Sequence, residues 1–190
     1  MEPDINKIEA FSSSDLGAFR SIMEASQDMV YNTALGIVKD ETDAEDIAQD
    51  VFVKLFENAK NFRGDAKLTT WLYRVTVNTS LDHYRRKNGK KRLAYFRDLF
   101  SNRIQPQPAF DHPGIRLENK DHARALFAAL DKLPVNQQVV FVLFHMEGKT
   151  YREIAEIVER STEAVESLMA RAKGNLQKLL KSYFDKQIMK

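Results

Sequence analysis

The sequence predicts an all-α chain: two small helical domains joined by a flexible linker. Three observations carry this. No segment sustains the period-two alternation of a half-buried strand, while apolar residues recur at helical spacings in both halves. Three of the five prolines, Pro106, Pro108 and Pro113, cluster with Gly114 between those halves. Proline fixes its own φ and drives the preceding residue out of the helical region, so 101–114 reads as the connection. The expected division is 1–95, a linker over 96–116, and 117–190.

In the first half, residues 14–38 place Leu16, Phe19, Ile22, Met23, Val30, Ile37 and Val38 at roughly helical period. Thr42-Asp43-Ala44-Glu45 fits a capping box, in which a hydroxyl and a carboxylate three residues apart satisfy each other's backbone N–H groups. Ile47, Ala48, Val51, Phe52, Leu55, Phe56 and Ala59 then form one apolar stripe. After a loop holding Gly64, a third helix is expected from Lys67 or Leu68 to about Arg86.

The second half opens with a helix over 117–133 that turns Leu126, Phe127 and Leu130 inward. Pro134 suits the first position of the next, where its missing N–H would be unpaired anyway. That helix carries the apolar run 139–144 and stops near Gly148. Thr150-Tyr151-Arg152-Glu153 is a second capping box, opening a short helix through Ile154, Ala155, Ile157 and Val158. Ser161 can cap a longer one with Val165, Leu168, Met169, Ala172, Leu176, Leu179 and Leu180 inward.

Composition excludes several functions. With no cysteine there is no disulfide, thiolate metal site or cysteine nucleophile. The start, Met1-Glu2-Pro3-Asp4, lacks the apolar core of a secretory signal. The longest apolar run is far short of the roughly 20 residues of a membrane helix. A soluble, cytoplasmic protein is expected. Gly148-Lys149-Thr150 echoes a phosphate-binding loop, but that motif needs glycine where Leu143 stands. The histidines at 83, 112, 122 and 145 show no metal-ligand spacing. No catalytic residue, metal, cofactor or small-molecule substrate is expected. A net charge of +2 says little as a total; its distribution says more.

Asp40, Glu41, Asp43, Glu45, Asp46 and Asp50 fall within eleven residues that hold no Lys or Arg. Acids favour a helix N-terminus, but Asp46, Gln49, Asp50 and Val53 run past the first turn, away from the apolar stripe. Such a face repels DNA and suits a basic protein. The run 85–92 is the opposite: six bases, no acid. A basic run is most often a solvated helix end, yet this one continues a helix with Trp71, Tyr73 and Tyr84, preceded by Phe62 and Arg63. Bases that track a backbone, with rings to stack on, hold single-stranded nucleic acid. Trp71 is in register with the core positions Leu68, Leu72 and Val75, so Phe62, Arg63 and Tyr73 are the candidates to touch a base.

The last two helices, about three residues apart, have helix-turn-helix spacing, although most short helical hairpins do not bind DNA. In the DNA-binding reading Ser161, Thr162, Glu163, Glu166 and Ser167 face base edges, while Arg152, Arg171 and Lys173 reach phosphates. Two glutamates on a reading surface weaken non-specific affinity, but glutamate can accept from cytosine N4.

In this order the motifs resemble the extracytoplasmic function (ECF) group of σ70-family RNA polymerase sigma factors. The stretch 43–52 is similar to region 2.2, 62–64 and 70–75 to region 2.3, and 78–86 to region 2.4. Leu133-Pro134, 148–155 and 161–173 resemble region 4. The resemblance implies that Asp46, Gln49, Asp50 and Val53 dock on the β′ clamp coiled coil of core polymerase. It implies that the loop 62–69, with Phe62, Arg63 and Gly64, holds a base flipped from the promoter −10 element, supported by Asn78, Asp82, Arg85 and Arg86. The helix-turn-helix would read the −35 element and lean on the β flap, with the linker running toward the RNA exit path. An anti-sigma factor, which can be membrane-bound, is implied as a further partner. Two departures stand out: the turn is Val158-Glu159-Arg160 where the family often has glycine, and Glu166 stands where many members carry Lys or Arg.

Two other readings compete. A stand-alone helix-turn-helix regulator would bind duplex DNA without polymerase, but leaves the acidic helix and the aromatic loop unexplained. An RNA-binding adaptor would bind single strands regardless of promoter sequence.

Overall fold

The computed structural model describes residues 16–58, 67–98 and 120–188, and every described element is a helix. They are α1 Leu16–Val38, α2 Glu41–Asn58, α3 Leu68–Asp98, α4 Lys120–Leu130, α5 Val135–His145, α6 Tyr151–Val158 and α7 Thr162–Ile188. Among these residues no helix is long and apolar enough to cross a membrane.

Helices α1–α3 close around Ile22, Val30, Ala34, Leu35, Ile47, Val51, Leu55, Leu68 and Leu72. From Ile47 to Leu55 the α2 stripe is therefore inward as its spacing requires, Phe56 stays 39% exposed, and Ala59 lies outside the described residues. Phe56 meets Phe19 edge-on, ring centroids 5.4 Å apart, the arrangement that ring quadrupoles favour. Trp71 packs partly buried against this cluster.

Three boundaries differ from the sequence reading. The N-cap of α2 is Asp40, not Thr42: the Asp43 N–H donates to Asp40 Oδ1 at 3.1 Å. The chain turns there because Lys39 takes a left-handed φ of 57° and its N–H closes α1 on Leu35 O. Pro134 is the N-cap of α5 rather than its first helical residue, with ψ at 136°. Finally, α3 runs twelve residues beyond Arg86. Lys, Arg, Leu and Ala are good helix formers, and the single Gly89 costs only about 1 kcal/mol against them.

Helices α4–α7 enclose Phe127, Leu130, Leu133, Val139, Val140, Leu143, Ile154, Ile157, Val165, Met169, Ala172 and Leu176. Gln138 is buried here; its amide donates to Leu130 O at 2.8 Å and Leu133 O at 3.0 Å, pinning the α4–α5 corner. Ile37, Tyr73 and Val77 of the first half join this second cluster, so the two halves share a seam.

Candidate functional site

The acids at the head of α2 divide into two sets. The Asp40 carboxyl is held below its usual range by the Asp43 N–H it caps, against burial, with Lys87 adding to the effect. Lys87 of α3 bonds to Asp40 at 3.1 Å and to Asp43. Burial works against the Lys87 ammonium, but those two bonds outweigh it and raise its pKa. His83 Nε2 lies 3.7 Å from Asp43. Asp40 and Asp43 are thus matched within the fold, while Glu41 beside them is exposed.

Asp46, Gln49, Asp50 and Val53 lie one turn on, at spacings of three, one and three that share a helix face. All four are exposed, Val53 by 55%. Among the described residues neither Asp46 nor Asp50 forms an ion pair. Asp46, Gln49 and Asp50 edge a shallow recess of about 280 Å³ whose other wall is Thr79, His83 and Arg86 of α3. Lys54 folds back onto Thr79 at 2.8 Å and leaves the face acidic.

On α3, Asn78, Asp82, Arg85 and Arg86 are exposed. Asp82 accepts from Arg85 at 3.0 Å, and its backbone oxygen accepts from Arg86 Nε at 3.4 Å. These side chains are ordered on one another while their outer atoms face water. Tyr73 corrects the sequence reading. Expected to touch a base, it is 5% exposed and belongs to the second apolar cluster. Its hydroxyl donates to Glu147 at 3.0 Å and Lys149 sits 4.5 Å over its ring. Burial, with the Glu147 charge, pushes the phenol well above its ordinary pKa. The ring is covered because α6 and the loop that precedes it lean on that side of α3. Phe62, Arg63 and Gly64 lie outside the described residues.

The helix-turn-helix is built as its caps require. Thr150 Oγ1 accepts from the Glu153 N–H at 3.3 Å, and the Thr150 N–H donates to Glu153 Oε2 at 2.8 Å. Helix α6 ends on Glu159, left-handed at φ 54°, and the Arg160 N–H returns to Ala155 O at 3.0 Å. Ser161 then caps α7 through the Ala164 N–H at 3.3 Å. Its hydroxyl also helps hold the Glu163 carboxylate ionised, after that residue's own N–H.

Arg152, Ser161, Glu163, Glu166, Ser167, Arg171 and Lys173 are exposed and Thr162 is half-buried. Arg152 approaches Glu156 at 3.7 Å. The phosphate candidates do not share one side. At 100° per residue Arg171 and Lys173 leave α7 on opposite flanks. Lys173 lies 5.8 Å over the Phe144 ring, whereas Arg171 and Ser167 face α3.

That last placement brings the two sets together. Asn78 and Arg85 of α3 and Ser167 and Arg171 of α7 line one cleft of about 430 Å³, floored by Val77, Leu81, Val139 and Val140. Sequence reasoning missed the residues that hold the cleft's two walls together. Arg74 reaches from α3 to Glu156 O at 2.8 Å and to the Glu159 carboxylate at 3.0 Å. Lys39 pairs with Asp131 across the same seam. Lys39 and Arg74 carry no local signature, since their partners lie 82 to 92 residues away in sequence. Gly36, inside a helix where glycine is unfavourable, was the available signal.

Residues 22–90 match the family Sigma-70 region 2, and residues 123–176 match Sigma-70, region 4. The chain is 33% identical to the RNA polymerase sigma factor YlaC of Bacillus subtilis (strain 168) over 136 residues, covering 71% of this chain and 76% of that one. It is 27% identical to the ECF RNA polymerase sigma factor SigW of the same organism, covering 95% and 99%. Its fold matches the structure of CnrH in complex with the cytosolic domain of CnrY, at a TM-score of 0.68 and 23% identity, over 94% of this chain and 99% of that one.

Proposed function

Because the chain belongs to the σ70 family as an ECF sigma factor, which directs RNA polymerase to promoters, we propose that its charged faces divide that task. Residues 1–95 dock on core polymerase and open the −10 element, and 117–190 read the −35 element, with 96–116 between them. The observation that carries this reading is the sorting of the α2 acids: Asp40 and Asp43 are matched by Lys87, while Asp46 and Asp50, beside Gln49 and Val53 on one face, stay exposed and without an ion pair among the described residues. An unmatched acidic face with Gln49 and Val53 suits the basic surface of the β′ clamp coiled coil, since complementary potentials set register and raise on-rates.

Asn78, Asp82, Arg85 and Arg86 contact the −10 strands beside the base held by Phe62, Arg63 and Gly64. Flipping that base costs a few kcal/mol, which stacking can offset. Ser161, Thr162, Glu163, Glu166 and Ser167 read −35 base edges from the N-terminal turns of α7, the part that enters a major groove. Arg152, Arg171 and Lys173 meet phosphates, and the same domain leans on the β flap. Two weak readers on one polymerase act as a strong one, because engaging the first raises the effective concentration of the second.

The protein acts in the cytoplasm without catalysis of its own, and an anti-sigma factor holds it in check. The test is run-off transcription with purified core polymerase. Promoter-dependent transcripts are expected only with the chain present. Tight binding to duplex DNA without polymerase, and no initiation with it, would establish a stand-alone regulator instead.

A further inference from the structure

Three arginines gather around a cleft with an apolar floor. Arg85 of α3, Arg171 of α7 and Arg160, in the turn before α7, line the space of about 430 Å³ over Val139 and Val140. Among the described residues no acidic side chain lines it. Arg85 shares Asp82 at 3.0 Å, but among the described residues neither Arg160 nor Arg171 forms an ion pair. Asn78 of α3 and Asn136 of α5 add amides, and Ser167 a hydroxyl. The walls are fixed before any ligand arrives. Gly36 is buried in α1, where a Cβ would sit 2.9 Å from Val142 Cγ1, so α5 seats directly on the α1 backbone. Arg74 ties α3 to Glu156 O at 2.8 Å and to the Glu159 carboxylate at 3.0 Å. A site that need not be ordered on binding keeps more of its contact energy as affinity.

Size and charge together select the occupant. Sites for small molecules run from about 300 to 1,000 Å³, mostly apolar with a few placed polar groups. An α-helix, about 10–12 Å across, would fill this volume within about one turn, too little to seat a docked peptide helix. Single strands are held on stacked aromatic rings, and no ring lines this cleft. Along α7, Arg160 and Arg171 stand roughly 16 Å apart at ~1.5 Å per residue, so the three cations do not converge on one phosphate. An elongated ligand fits better, with anionic charge at one end and a flat ring at the other. A guanidinium suits both ends, because it forks two N–H groups onto phosphate oxygens and stacks its plane on an aromatic face. Asparagine amides pair with adjacent edge atoms of a base. A nucleoside diphosphate meets all of these demands.

We propose that this cleft binds a free nucleoside diphosphate, its base between the Arg160 guanidinium and the aliphatic floor and its phosphates on Arg85 and Arg171. The Asn78 and Asn136 amides meet the polar edges of base and sugar. The site stands whether or not Arg85 and Arg171 also touch DNA. Because it is built from helices of both halves, a bound nucleotide stabilises the folded chain by mass action.

Isothermal titration of the full chain with ADP and with GDP is the test. One nucleotide per chain should bind, with a dissociation constant below about 1 mM. Pyrophosphate, which lacks the ring, should bind at least tenfold more weakly. Arg160→Ala truncates an exposed side chain and leaves its backbone bond to Ala155 intact, so the helical signal should persist. Nucleotide affinity should nevertheless fall at least tenfold. Ala164→Phe, which fills the cleft from its half-buried wall, should do the same. Absence of binding by both nucleotides, pyrophosphate binding as tight as theirs, or indifference to Arg160→Ala would each overturn the proposal. So would binding of a single-stranded oligonucleotide but of neither free nucleotide, which would assign the cleft to DNA.

Discussion

Lys87, in the sixth turn of α3, bonds the Asp40 carboxylate at 3.1 Å and so ties the basic helix to the cap of the acidic one. The two charge patches are therefore neighbours by construction, and Lys87 is bonded to Asp40 and Asp43 rather than to Asp46 or Asp50. Asp46 and Asp50 remain for an outside molecule.

Asp50→Lys should weaken binding to core polymerase at least tenfold, about 1.4 kcal/mol. Asp50 is exposed and off the apolar stripe, so the circular dichroism signal should not change. Affinity measured by fluorescence titration against purified core checks this, and an unaltered value would remove the face from the account.

Glu166→Arg should redirect which −35 sequences are used rather than strengthen all of them. A side chain that reads a base edge is worth about 1–3 kcal/mol of discrimination. Selection of promoter fragments from a random pool with holoenzyme gives the readout. A uniform gain across sequences would make Glu166 merely a charge near phosphate.

Arg171→Ala should act in the opposite manner. Losing a phosphate contact weakens binding about equally at every sequence and lowers the salt dependence by about one counterion. Titrations of holoenzyme on one promoter at several salt concentrations would reveal it, and an unchanged slope would place Arg171 off the DNA.

Asp40→Asn keeps a side chain able to cap but removes the charge that Lys87 grips. The wild-type carboxyl is depressed in the fold, so its contribution to stability is present above its ordinary pKa of 3.8. That contribution disappears as pH falls through the lower folded value. Urea unfolding should show the wild type more stable than the variant near pH 7, by about 0.5–1 kcal/mol for this half-exposed pair, with the gap closing below about pH 3.8. A gap constant with pH would mean that shape, not charge, is what Asp40 supplies.

The helices and most of their inward residues were legible because period and caps are local. Thr150 with Glu153, and Ser161 before α7, needed no knowledge of the rest of the chain. At α2 two caps competed: Thr42 with Glu45 matched the pattern, but the left-handed turn at Lys39 places Asp40 at the helix mouth. Tyr73 was misread for a different reason. A ring on the outer face of a basic helix looks exposed until a domain more than seventy residues away covers it. The exposed acidic face of α2 was readable because it is defined by what that helix keeps off its own core. The seam was not, because it is made of pairs such as Arg74 with Glu159 that no local spacing encodes.

Glu159 occupies a left-handed position that a β-carbon resists by about 1–2 kcal/mol and that glycine takes freely. Replacing it with glycine would relax the hairpin and at the same time delete the carboxylate that Arg74 holds. The usual route to a hardier variant would thus yield a firmer reading head on a looser neck. In this chain thermal toughness and coordination between the halves compete for a single residue.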